Sequence, residues 1–214
     1  MSTLARNRWW ALALAACALN AQATGLEALE HFVRNVSSAR CEFTQSVTLP
    51  AREGQAARVK ISSGTFAFAR PGRFRFDYRK PFEQTIVADG QTLWLYDQDL
   101  NQVSARKQAS VLGSTPAALV ASAPNLDALR AEFTLVDDGA QDGLEWVRAT
   151  PKGKDSALQS VRVGLRGGSL ERLEIIDSFA QKSLLRFSNL QANGALDAAL
   201  FQFKPPAGAD LIRQ

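Results

Sequence analysis

Apolar side chains recur at helical spacing once near the start of the chain and then alternate with polar ones over most of its remaining length. Leu26, Leu29, Val33 and Val36 fall three or four residues apart, which places them on one helix face and predicts an amphipathic helix over 25–39. From residue 41 the period drops to two. Strands are predicted over 41–49, 58–69, 73–79, 83–88, 92–96 and 101–106. Asp89-Gly90 is a strong hairpin signal, 97–100 a weaker turn, and 51–57 a loose loop around Gly54. The alternation then stops. Two short helices are predicted over 115–121 and 125–131, with Pro116 at a favoured first-turn position and Pro124 between them. Strands return over 133–137, 144–150, 158–165, 170–177 and 183–190. Asp138-Gly139, Asp142-Gly143, Lys152-Gly153 and Gly167-Gly168 mark the connections, and Phe201 to Pro206 forms a proline-stiffened tail.

The sum, about ten or eleven strands joined by short turns, is an antiparallel sheet of a size that curls. The fold class is mainly β with a few helices (α+β), built on a strongly curved antiparallel sheet. Its apolar face would be concave, and the N-terminal helix and the helical insert are what the sequence offers to cover it. There is no internal repeat and no low-complexity linker, so 24–214 reads as one domain.

The segment 70–107 is the most informative. Between Phe66 and Tyr96 lie Phe66, Phe68, Phe74, Phe76, Tyr78, Phe82, Trp94 and Tyr96, half of the aromatic residues beyond residue 23. Over 73–79 the alternation is strict, with Phe74, Phe76 and Tyr78 on one face and Arg73, Arg75, Asp77 and Arg79 on the other. An aromatic face this dense has to be covered.

Residues 1–23 have the composition of an export signal. Arg6 and Arg8 precede an apolar run over 9–19, and Ala21-Gln22-Ala23 fits the small-x-small cleavage rule. The run is shorter than the 20 or so apolar residues of a permanent span. A competing reading takes Leu14-Ala15-Ala16-Cys17 as a lipobox, with Cys17 lipidated. Cleavage after Ala23 would remove two arginines and lower the net charge from +4 to +2, which argues against a nucleic-acid partner. Only Cys41 would remain, so no internal disulfide is expected.

Candidate chemistry is sparse. His31 is the single histidine and lies on the first helix; Asp137-Asp138 sit at a turn; no cluster has metal-ligand spacing and no glycine-rich loop has phosphate-binding form. Cys41 reads as a small buried strand residue. The expectation is a non-enzyme without cofactor or metal. Arg70 is different. It shares parity with Phe66, Phe68, Phe74 and Phe76 if the register runs through, and a guanidinium on an apolar face is costly unless paired. Either Pro71-Gly72 turns it to water, or it donates to backbone carbonyls at a helix end as a breakable latch, with the insert over 115–121 supplying that end.

Arg70-Pro71-x-x-Phe74-x-Phe76, Asp89-Gly90-x-Thr92-Leu93-Trp94-x-Tyr96, Thr115-Pro116 and Phe201-x-Phe203-x-Pro205-Pro206-x-Gly208 together resemble the periplasmic outer-membrane lipoprotein carrier family, LolA. The resemblance implies an unclosed antiparallel β-barrel with a helical lid over an apolar cavity, in a periplasmic monomer that takes acylated lipoproteins from an inner-membrane ABC transporter to an outer-membrane receptor. It implies that Arg70 latches a lid, that Phe76, Ile86, Leu119 and Val120 line the lipid cavity, and that Pro116, Ala117 and Ala118 belong to the lid. It also implies that Phe74 faces outward to dock the transporter. The lid here reads Pro-Ala-Ala-Leu-Val, where bulkier residues are common in the family. Three readings stay beside this one: an outer-membrane receptor of the same fold, if Cys17 is lipidated; a generic periplasmic lipid binder; and a hydrolase on the same cavity, which the single histidine argues against.

Overall fold

The structure is a computed structural model that describes residues 24–50, 56–111, 123–153 and 156–213. Its first helix, α1 (Gly25–Asn35), starts in a capping box: Glu27 N–H donates to the Thr24 hydroxyl, and the Thr24 N–H donates to the Glu27 carboxylate. The buried stripe of α1 is Ala28, Leu29, Phe32 and Val33. The helix is four residues shorter than the periodicity predicts. Val36 caps it in an extended conformation, and Ser38 and Ala39 already pair in the sheet opposite Ala69 and Phe68. A ladder bond in the sheet replaces a further helical turn there.

The strands are β1 (Ser38–Leu49), β2 (Arg58–Ala69), β3 (Arg73–Lys80), β4 (Gln84–Asp89), β5 (Thr92–Asp97), β6 (Gln102–Lys107), β7 (Phe133–Gln141), β8 (Leu144–Pro151), β9 (Leu158–Arg166), β10 (Ser169–Asp177), β11 (Lys182–Ala192) and β12 (Asp210–Arg213). Helix α2 (Gln108–Val111) comes directly after β6, helix α3 (Leu126–Glu132) directly before β7, and a 3-10 turn spans Ala198–Phe201. All twelve strands form one sheet in the order β12-β6-β5-β4-β3-β2-β1-β11-β10-β9-β8-β7. Its two edges, β12 and β7, do not meet, so the sheet is curved and unclosed.

Two details differ from the sequence expectation. The sheet is not wholly antiparallel, because β12 pairs parallel to β6. Asp138-Gly139 is not a turn but an irregularity inside β7, between Asp137 and Ala140, with Gly139 at positive φ. The turn is Asp142-Gly143, both at positive φ. Predicted and observed bounds of β2 coincide.

The core is one cluster on the inner face. Helix α1 packs on β7, β8, β9 and β10, where Val147, Val163, Leu165 and Leu173 are almost fully buried. Helix α3 adds Leu126 and Leu129. Where α1 meets the sheet, Gly25 N–H donates to Asp137 Oδ1 over 2.7 Å, a carboxylate at a helix N-terminus. A Cβ on Gly25 would overlap the Trp146 carbonyl. Gly25→Ala is therefore expected to destabilise by about 1–3 kcal/mol, the usual cost of overpacking, although alanine is the better helix former. Thermal unfolding checks this, and an unchanged or raised Tm would contradict the packing.

Candidate functional site

The inner face of β1–β4 is an aromatic wall, and strand register builds it. Phe66 stands opposite Cys41 on one side and Phe76 on the other, and Phe68 stands between Ala39 and Phe74. Phe76 pairs in turn with Ile86, and Phe74 with Ala88. Phe66 stacks on Phe76 at 4.2 Å, Phe43 meets Phe76 edge-on at 5.3 Å, and Phe66 reaches Phe187 of β11 at 5.7 Å. Such ring pairs add about 0.5–1.5 kcal/mol beyond the area they bury. Ile86 and Leu93 are half-buried and pack against the same cluster. The wall ends in one polar contact, Tyr78 Oη donating to Gln45 Oε1 at 2.9 Å. Burial pushes the Tyr78 phenol up to about 12. Cys41 lies within the wall, and burial, with Glu42 nearby, raises its thiol to about 12. It is a packing residue without thiolate character.

Arg70 stands at the end of this wall, in the turn between β2 and β3. Its backbone N–H donates to Ser37 O. Its Nε donates to Val36 O at 2.9 Å and its Nη1 to Ala123 O at 2.7 Å. The guanidinium lies over the rings of Phe68 and Phe32, at 5.2 and 5.7 Å. The helix end it caps among the described residues is that of α1, at Val36; the insert over 115–121 lies outside the described residues. The Ala123 carbonyl lies just beyond the insert. Nη2 is buried without a partner among the described residues. Burial lowers the guanidinium pKa to about 10, so it stays a cation at neutral pH, held by carbonyl dipoles rather than by a carboxylate.

Gln108, which sequence reasoning passed over, fixes this turn, and Asp89, read there as half of a hairpin signal, fixes its neighbour. Gln108 is the one buried polar residue among those described, at 3% exposure. Its Nε2 donates to Gly72 O at 2.6 Å, its Oε1 accepts from Gly90 N–H, and its own N–H donates to Gln91 O. It joins the Arg70 turn to the β4–β5 turn. Asp89 organises that second turn by accepting from the N–H groups of Gln91 and Thr92 and from the Trp94 indole. Only the Asp-Gly signal at 89–90 pointed to the second turn; an isolated glutamine has no pattern to read.

The outer face differs from the expectation in one respect. Trp94 and Tyr96 do not share the face of Phe76. In register, Leu93 and Leu95 face Ala88 and Ile86, while Trp94 and Tyr96 face Val87 and Thr85. They pack instead on Phe203 of the C-terminal tail, at 5.6 and 6.0 Å. The tail also sets Phe201 under Arg73 and offers Leu200 O to Arg75. Further round the outer face, Asp138 accepts from Arg148 and Arg162, and Arg162 also reaches Glu174 and covers the Trp146 ring. With Asp137 on the α1 terminus, both carboxylates of the Asp pair are held in structural contacts. His31 is exposed on α1 against Gly168.

The sequence-derived site residues divide accordingly. Arg70, Phe76 and Ile86 come together at the inner wall. Phe74 does not face outward as the resemblance implied. It is 1% exposed and points inward beside Phe76, as strict alternation over 73–79 requires. Pro116, Ala117, Ala118, Leu119 and Val120 lie outside the described residues.

A family model described as outer membrane lipoprotein carrier protein LolA matches residues 34–204. The chain is 63% identical over 207 residues to an outer-membrane lipoprotein carrier protein of Albidiferax ferrireducens, covering 95% of this chain and 97% of that one. It is 49% identical over 194 residues to a protein of the same name from Leptothrix cholodnii, covering 91% and 88%. Among solved structures it is similar in fold to a LolA superfamily protein of Nitrosomonas europaea, with a TM-score of 0.50 at 12% identity over 85% of this chain and 99% of that one. The chain belongs to the LolA family of outer-membrane lipoprotein carrier proteins.

Burial would raise the Asp89 carboxyl, but the hydrogen bonds from Thr92, Trp94 and Gln91 outweigh it and hold its pKa below the ordinary aspartate range. A depressed folded pKa contributes stability above the unfolded value and loses it as pH falls through the folded one. Asp89→Asn is thus expected to flatten the dependence of stability on pH in the acid range below the ordinary aspartate pKa, measured by urea unfolding across that range. An unchanged pH slope would contradict the role given to Asp89.

Proposed function

We propose that this protein is a periplasmic chaperone that shields the acyl chains of lipoproteins released by an inner-membrane ABC transporter and delivers them to an outer-membrane receptor. The observation that carries the proposal is an aromatic inner wall in an unclosed sheet, tied at its end by a cation whose partners among the described residues are carbonyls. Family membership supports the cargo class. Exposing an acyl chain to water costs about 0.8 kcal/mol per methylene, so lipoproteins need a cover to cross an aqueous compartment. Residues 1–23 serve as the export signal in this reading, and the carrier acts as a monomer without catalysis. The carrier relatives favour this over the receptor reading that a lipidated Cys17 would bring.

Phe66, Phe76 and Ile86 supply the acyl-binding surface. Leu119 and Val120 of the lid, with Pro116, Ala117 and Ala118, compete with cargo for it. Arg70 stabilises the closed, empty state. Phe74 enters as a wall residue, and any contact with the transporter requires its ring to leave that buried position. No ATP is needed at release, because direction comes from tighter binding at the acceptor.

Arg70→Leu should still capture lipoprotein but release it to the acceptor roughly tenfold more slowly, since a hydrogen bond to a charged group contributes about 1.5–3 kcal/mol. A reconstituted transfer assay reads this, with native mass spectrometry confirming the triacylated cargo on the carrier. Equal release rates for variant and parent would rule out the latch; absence of any lipoprotein cargo would rule out the carrier.

A further inference from the structure

Eight large apolar side chains are exposed among the described residues, and five of them lie on one rim of the sheet: Val59, Ile61, Phe82, Leu100 and Phe179. The other three, Val136, Leu211 and Ile212, are on the edge strands β7 and β12. The register places the five together. Strands β1, β3, β5 and β10 all end at this rim, and β2, β4, β6 and β11 begin there. The Arg70 turn is at the opposite rim.

These side chains stand on built turns. Asp177 Oδ1 accepts from the N–H groups of Phe179 and Gln181, which holds Phe179 at a hairpin tip, 84% exposed. Asp97 Oδ1 accepts from Leu100 N–H, and Gln98 N–H donates to Glu83 O, which ties the Leu100 turn to the Phe82 turn. Exposed lysines and arginines flank the apolar tips: Lys60 beside Val59 and Ile61, Arg79 and Lys80 before Phe82, and Lys182 after Phe179. The acids Glu83, Asp97 and Asp99 gather at the Leu100 end, and Asp177 is taken up within its turn. Among the described residues, the arc from β3 through β2 and β1 to β11 is therefore basic and apolar together.

We infer that this rim docks transiently on an anionic phospholipid surface. The apolar tips belong to separate hairpins. Phe82, in the β3–β4 turn, and Phe179, in the β10–β11 turn, are set apart by β2 and β1, about 19 Å turn to turn along a sheet with the usual strand spacing. A fluid interface admits such tips one by one, and anionic headgroups complement the lysines between them. A groove-forming protein partner would call for a contiguous patch. The inference extends the carrier reading, since docking would shorten the aqueous path of the acyl chains, but its test needs no cargo.

The probe is cargo-free protein with cargo-free vesicles of phosphatidylglycerol and phosphatidylethanolamine, compared with vesicles of phosphatidylcholine alone. Flotation should show the parent on the anionic vesicles and several-fold less on the neutral ones. Phe82→Ser with Phe179→Ser should lower partition to the anionic vesicles roughly tenfold, as expected for two partly inserted phenylalanines, without a change in Tm. Lys80→Gln with Lys182→Gln should lower it at low salt and little at high salt. Equal partition of parent and both double variants overturns the inference, as does a parent that stays off both kinds of vesicle. A photocrosslinker at position 179 that captures a membrane protein while the parent ignores lipid assigns the rim to a protein partner instead. None of these outcomes bears on whether the protein carries lipoproteins.

Discussion

An apolar wall that has to be covered is the constraint that shapes this molecule. Phe43, Phe66, Phe68, Phe74 and Phe76 are buried on one face of a sheet whose edges do not meet. A flat sheet would expose them. Curling turns the face inward, α1 and α3 cover the half formed by β7–β10, and the C-terminal tail covers the opposite face behind β3–β5. On the aromatic half α1 reaches Phe68 with Phe32, and in the proposed function an acyl chain and the protein's own apolar side chains have the same physical claim on that half.

That equivalence explains the chemistry at the end of the wall. A carboxylate partner would hold Arg70 strongly and give a switch that is hard to open. Val36 O and Ala123 O offer dipoles only, and the phenyl rings of Phe68 and Phe32 offer their faces. The guanidinium is paired well enough to be buried and, in the proposed function, weakly enough to let go. Gln108 keeps the turn in place by bonding Gly72 and Gly90 at once.

Much of this was legible in the sequence, because the period-two pattern depends on which side chains enter the core. The bounds of β2 and the inward placement of Phe74 and Phe76 come from alternation alone; the family resemblance led away from it at Phe74. What was not legible depends on contacts remote in sequence. Helix α1 stops before its apolar stripe does because Ser38 and Ala39 bond Ala69 and Phe68 across the sheet. Trp94 and Tyr96 looked like members of the inner face because they are aromatic, but the hairpin register gives that face to Leu93 and Leu95. Strand β12 is four exposed residues held by backbone bonds to β6, and such bonds leave no side-chain pattern.

If the protein carries lipoproteins as proposed, acyl chains replace its own cover on the inner wall. Photocrosslinking with a single probe residue at Ile86 or at Trp94 tests this, in the presence of a triacylated lipoprotein. The two positions lie on neighbouring strands but on opposite faces. Acyl adducts are expected from position 86 and none from position 94. Adducts of equal yield at both, or at position 94 alone, would contradict replacement at the inner wall.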